Sequence, residues 1–298
     1  MSIPSARKEA VILIPSAAKK LSFILAAAAC VLSCFPIFIL LAGAFTGNCE
    51  WRSYLGGIWE GQGKTYFFLF PSFPTLSGFA EALLDRPEFY VVFWNSVKLT
   101  FCIVLGQIFI AVPAAWGFSR WHSRASSLLF YVYTILMFLP FQVTMLSNYI
   151  VLDKLGILDT HGAVTGPAVF STFPVFLIYR SFIGIPEELY EAFSLDSGSR
   201  FRMFWHIGVP LAMPGIKGAA LLGVVEYWNM IEQPMLFLKT PSLWPFALYI
   251  PGISRDNVSY LSACSLILVI PMILIIFRGK DDIRRGIGTM AVKEQGKE

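Results

Sequence analysis

The chain has 298 residues, 56% of them hydrophobic and only 14% charged, with a net charge of +4 and a mean hydropathy of +0.65. Soluble domains carry about 25% charged residues, so this composition excludes a water-soluble globular protein and indicates an all-α integral membrane protein. The small positive charge is not gathered into a basic patch with interleaved aromatics, which excludes a nucleic-acid partner.

A helix crossing a hydrocarbon core about 30 Å thick needs about 20 apolar residues. After a basic tail, residues 1–20, the first uncharged run is Leu21–Phe45. Ala42-Gly43-Ala44 resembles a signal-cleavage site, but 25 uncharged residues far exceed the hydrophobic part of a secretory signal. The run is therefore expected to be a retained first span. Residues 46–91 follow, rich in Gly, Pro and aromatics such as Trp51, Trp59, Phe67 and Phe73. Such aromatics either sit at the lipid interface or contact an external partner. Gly63-Lys64-Thr65 looks like the end of a phosphate-binding loop, yet position 58, where that loop needs glycine, is Ile58. The energy source is expected on another chain.

The core, residues 92–277, holds four further runs without charge or nearly so: Leu99–Phe118, Ala125–Leu152, Gly162–Tyr179 and Val258–Phe277. A fifth, about Pro214–Leu238, contains Lys217, Glu226 and Glu232 and is needed for a consistent topology. Six spans are expected. With both termini inside, 16 of 23 Lys and Arg fall on the inner side, counting the 278–298 tail. Only Arg52, Lys64, Arg86, Lys98, Lys154, Lys239 and Arg255 fall outside. Basic residues are retained in the cytoplasm, so both termini are expected there. Of the five cysteines only Cys49 lies outside a span, so no intrachain disulfide framework is expected.

Between the fourth and fifth spans lies a polar insert, residues 184–213, on the inner side. Pro186 suits a first helical turn, and Glu187 and Glu188 complement the positive end of the helix dipole. Leu189, Ala192 and Phe193 form an apolar stripe at helical spacing, opposite Glu187, Glu191 and Ser194. Ser197-Gly198-Ser199 breaks this helix, with Gly198 free to take positive φ and Ser199 placed to cap a second helix. Pro210 and Pro214 are expected to end the second helix before the fifth span. Such a hairpin is too small to fold alone and must dock, on its own spans or on a partner.

Here the sequence resembles the carbohydrate-type membrane subunits of binding-protein-dependent ABC importers. Their EAA loop reads Glu-Ala-Ala, three residues, Gly, nine residues, Ile-x-Leu-Pro. Glu191, Ala192, Asp196, Ile207 and Pro210 stand in register with it. Phe193 replaces the second Ala, Ser197 the Gly with Gly198 one place late, and Val209 the Leu. Asn95-Ser96, Ala114 through Arg120, Leu155 through Thr160, Arg180-Ser181-Phe182, Trp228-Asn229 and the tail from Gly286 extend the likeness over roughly residues 75–293. The resemblance implies a cytoplasmic coupling hairpin, with Glu191, Ala192, Asp196, Ser197, Gly198, Ile207 and Pro210 meeting an ATPase. It implies a bacterial inner-membrane permease subunit that does no covalent chemistry. Its partners would be a second six-span permease, two ATPase subunits that bind ATP and Mg, and an extracytoplasmic binding protein delivering a carbohydrate. No cofactor belongs to this chain. The alternatives are a permease for a non-sugar solute, or a membrane receptor or scaffold docking another partner through the hairpin.

Counted from Pro214, Glu226 falls near the membrane midplane, where a carboxylate marks a pathway, an interhelical hydrogen bond or a proton relay. Gln107 is a candidate for the same path or for helix pairing. Trp228 and Asn229 are candidates for packing, gating or sugar contact. His122, His161 and His206 are scattered without metal-ligand spacing.

Overall fold

Within a bilayer every backbone N–H and C=O must be satisfied by the segment itself, so apolar runs of this length fold as helices. The computed structural model describes residues 16–59, 61, 70–121, 123–196, 198–254 and 257–291. Gly63-Lys64-Thr65, His122 and Ser197 lie outside them. Among the described residues there is no strand, only one isolated bridge between Thr46 and Pro74. The helices are α1 (Ser16–Ala44), α2 (Asn48–Trp59), α3 (Ser77–Ala80), α4 (Pro87–Arg120), α5 (Arg124–Met137), α6 (Phe141–Lys154), α7 (His161–Val169) and α8 (Thr172–Ile183). They continue with α9 (Glu187–Asp196), α10 (Arg200–Met203), α11 (Val209–Trp228), α12 (Glu232–Phe237), α13 (Phe246–Tyr249) and α14 (Val258–Ala291).

Five segments are long and apolar enough to cross a membrane: Ser22–Ala44, Pro87–Arg120, His161–Ile183, Arg200–Trp228 and Val258–Lys280. The sixth, expected over Ala125–Leu152, is the pair α5 and α6, bent by 100°. Pro140 explains the break. It has no N–H to continue α5, and it adopts the extended backbone that opens α6. The fifth span is also shifted from its expected bounds. It starts in the hairpin and ends at Trp228, with Glu232 on the separate short helix α12.

Helix α4 is the central mast. Its Leu99 and Ile103 join a buried cluster with Val164, Tyr227 and Phe237, and its Ala111, Val112 and Ala115 join another with Val175, Ile178, Phe182 and Ile216. Phe89 and Val92 join a third with Phe246, Tyr260 and Cys264. Without a hydrophobic drive between helices in lipid, small residues set the approach. A Cβ added at Gly215 of α11 would lie 1.7 Å from the Ser181 Oγ and 2.6 Å from its Cβ on α8. Around the perimeter Phe101, Phe109, Leu128 and Leu146 point outward, as apolar surface does against lipid.

One polar clamp ties two loops on the side opposite the hairpin. Asp159, with φ of 57°, accepts from the Lys239 N–H at 2.8 Å, the Thr240 N–H at 2.9 Å and the Thr240 hydroxyl at 2.5 Å. These Thr240 and Lys239 bonds hold its carboxyl below the ordinary value of 3.8. A depressed carboxyl stabilises the fold above the ordinary carboxylate range and loses that contribution as pH falls through its lowered folded value.

Two outcomes follow from the packing and the clamp. Gly215→Val should force α11 off α8 and lower the thermal stability of the purified chain, by about 1–3 kcal/mol as overpacking does, with partial recovery when Ser181→Gly is added. The gap in melting temperature between wild type and Asp159→Asn should be constant from pH 7 to 5 and shrink below pH 3.8; a gap that persists unchanged at lower pH would contradict the clamp.

Candidate functional site

The polar hairpin is built on a junction at the end of α4. Arg120, in the last turn of α4, meets Glu187, in the first turn of α9, through two parallel bonds of 2.7 Å each. Its guanidinium also lies 4.3 Å from the Tyr190 ring centroid and 6.0 Å from that of Trp116. Trp116, one turn earlier on α4, packs edge-on to Phe182 at 5.3 Å and Tyr190 at 5.6 Å, and against Phe204 at 5.5 Å. Tyr190 is 2% exposed, and burial pushes its phenol up to about 12, so it stays neutral.

This arrangement shows which side of α9 meets the bundle. The buried side carries Tyr190, flanked by Glu187 and by Phe193, which stacks on His206 at 6.5 Å. Leu189 and Ala192 are exposed, and Leu195 is 89% exposed. A flat ring that both meets an aromatic cluster and receives a guanidinium outweighs two aliphatic side chains. A Cβ at Gly198 would meet nothing within 4 Å. Ser199 does cap α10, its hydroxyl accepting from the Arg202 N–H at 3.4 Å.

The second helix does not end at Pro210. A wide π turn spans Phe204–Gly208, closed by the Val209 N–H on the Phe204 carbonyl, and the chain runs on as α11. A proline ring would strike the carbonyl four residues back in a tight α-helix, and the wider turn relieves that clash. Gly208 sets the position: a Cβ there would lie 2.6 Å from Trp116. Arg200–Trp228 is thus one continuous segment.

Of the hairpin candidates, Glu191, Ala192 and Gly198 are exposed on the outward side, Ile207 is half-buried in the stem and Pro210 is exposed. Asp196 closes α9, and Ser197 lies outside the described residues. Around them Leu189, Leu195, Phe201 and Trp205 are exposed apolar side chains at the polar end of the molecule, the mark of a docking surface.

The path candidates separate into two faces of α11. Gln107 is 3% exposed, donating at 2.8 Å to the Ala168 carbonyl and at 2.8 Å to the Tyr227 hydroxyl, so it links α4 to α7 and α11 and lines no open surface. Trp228 is buried, donating to the Leu268 carbonyl at 3.0 Å and packing on Phe93 at 6.0 Å. Glu226 and Asn229, three residues apart, are exposed. The Asn229 amide closes the helix on the Val225 carbonyl at 3.0 Å. Nearby in sequence, Glu232 accepts from the Gln142 amide at 2.8 Å. Counted from Val209, Glu226 lies roughly 26 Å along α11, in its last turn.

Residues 107–279 match the family of binding-protein-dependent transport system inner membrane components. That is more than half of the 298 residues. The chain belongs to this family. It is accordingly a multi-pass inner-membrane transport subunit and not an enzyme. Among curated relatives, protein LplC of Bacillus subtilis is 27% identical over 210 residues, 70% of this chain and 66% of LplC. The arabinooligosaccharides transport system permease protein AraQ of Halalkalibacterium halodurans is 23% identical over 244 residues, 81% of this chain and 84% of AraQ. In fold, the chain is similar to a bacterial ABC transporter involved in the import of the acidic polysaccharide alginate, with a TM-score of 0.75 and 17% identity, over 87% of this chain and 94% of that one.

Within this inner-membrane component, the pairing that braces the hairpin was not foreseen in the sequence, although Glu187 was named there for the helix dipole and Trp116 and Arg120 within the Ala114–Arg120 stretch. Arg120, Trp116, Tyr190 and Glu187 carry the junction, and 67 residues separate Arg120 from its partner Glu187. The available signal was a basic residue closing one apolar run and an acidic first turn opening the polar insert.

Arg120→Lys keeps the charge but loses the planar fork, so limited proteolysis at the 197–199 turn should accelerate while the protein stays inserted. Glu187→Gln should cost only about 0.5–1 kcal/mol of thermal stability, because the pair is open to solvent. Proteolysis of Arg120→Lys at the wild-type rate would contradict the brace.

Proposed function

We propose that this chain is the permease subunit of an ATP-driven ABC importer and forms half of the path for a sugar or oligosaccharide. A second six-span permease completes the path, two cytoplasmic ATPase subunits drive it, and an extracytoplasmic binding protein delivers the solute. The orientation follows the Lys and Arg bias, with both termini and the hairpin in the cytoplasm. The AraQ relative, whose name gives arabinooligosaccharide transport, supports the carbohydrate reading.

The single observation that carries the mechanism is the continuity of Arg200–Trp228. The stem of the hairpin and the exposed Glu226 share one helical segment. The outward face of α9, with Glu191, Ala192 and Leu195, meets the ATPase, while Arg120 and Trp116 keep α9 fixed to α4. Closure of the two ATPases moves the hairpin, and α11 carries that displacement to the far side of the membrane. A carboxylate within a membrane-spanning segment is costly against lipid, which supports a reading in which Glu226 and Asn229 face the path and the second permease.

In proteoliposomes holding the whole importer, Glu191→Arg or Ala192→Pro should leave ATP hydrolysis running while solute uptake falls by at least tenfold, a loss of about 1.4 kcal/mol of coupling. Wild-type uptake in both variants would refute the coupling role.

A further inference from the structure

Beyond the hairpin and the path face, α11 and α14 line an open groove of about 480 Å³. Its walls are apolar: Ala220 and Leu221 from α11, Leu274 from α14. Its floor is tight, since a Cβ at Gly279 would lie 2.4 Å from Leu221. Two exposed cations stand at its mouth, Lys217 and Arg278. Neither is in an ion pair with a described carboxylate; the described pairs are Arg86–Glu81 and Arg120–Glu187. Arg278 directly follows Phe277, the end of the last uncharged run, which places the mouth at headgroup level. The tail that starts there, residues 278–298, holds six Lys or Arg against four Asp or Glu.

A neighbouring protein helix filling this groove would have to carry a carboxylate at membrane level to satisfy the two cations, and that is expensive. A lipid brings its anion there already, with a chain attached. We propose that this groove binds an anionic phospholipid, its acyl chain along Ala220, Leu221 and Leu274 and its phosphate between Lys217 and Arg278. The long stems of both cations cover apolar wall while their heads reach the phosphate. The bound lipid seals the seam between the helix that leaves the hairpin and the helix that ends the core. The site rests on the groove and its charges and not on transport, so its failure would leave the permease reading untouched.

The test is native mass spectrometry of the purified, delipidated full-length chain titrated with phosphatidylglycerol or with phosphatidylcholine of the same acyl chains. Two surface cations imply about a thirtyfold preference for phosphatidylglycerol. Lys217→Gln with Arg278→Gln should remove that preference, and Lys217→Arg with Arg278→Lys should keep it. Lys98→Gln with Lys154→Gln, away from the groove, should change nothing. Ala220→Phe, which fills the groove and keeps both charges, should weaken both lipids. Equal affinity for the two lipids in wild type, or a preference that survives loss of both cations, would overturn the site. Should the double glutamine variant fail to fold, Ala220→Phe decides alone, because unchanged phosphatidylglycerol affinity would overturn it. A photocrosslinker at position 220 that captures a protein in place of lipid would also overturn it.

Discussion

The contact of Arg120 and Trp116 with the hairpin is the constraint on which the rest of the structure depends. A short polar helix pair between membrane spans has too little apolar surface to hold its own shape. Here the end of α4 supplies the missing surface. The guanidinium binds Glu187 through two bonds and covers the Tyr190 ring, and the indole touches Phe182, Tyr190 and Phe204. One helix end thus fixes α8, α9 and the π turn together. Removing the neutral aromatic layer would leave the ion pair in water, where it is worth little.

From that junction the mechanics follow. Because the chain passes Pro210 through a widened turn, the hairpin stem does not terminate before the membrane. A loop in its place would absorb displacement; in the proposed mechanism the helical segment from Arg200 to Trp228 transmits it. The two faces of α11 then divide the labour. Tyr227 and Trp228 lock against α4 and α14 through Gln107 and the Leu268 carbonyl, while Glu226 and Asn229 stay open. A side chain that moves with α11 and one that anchors it sit one residue apart.

Much of this was legible in the sequence because it is local. Runs of about 20 apolar residues set the spans, Pro186 and the acidic first turn set the start of α9, and Ser199 set the start of α10. What was illegible depends on distant partners. That Tyr190 is the inward residue of α9 was not legible, because it is inward only by virtue of Arg120 and Trp116, residues of another helix. Pro210 reads as a helix end until Gly208 is seen against Trp116, where the π turn makes room. Pro140 breaks the apolar run between α5 and α6, but the size of the bend, 100°, is not written in the run itself. The fifth span was expected to start at Pro214, whereas the helical segment starts in the hairpin at Arg200.

The central claim is that α9 presents one face to its own bundle and the other to a separate motor. Photocrosslinkers placed singly at Leu195 and at Phe193 in the assembled importer test it most directly. The account predicts that Leu195 crosslinks to the ATP-hydrolysing subunit and that Phe193 crosslinks only within this chain. Crosslinks from Leu195 that land solely on its own bundle would contradict it.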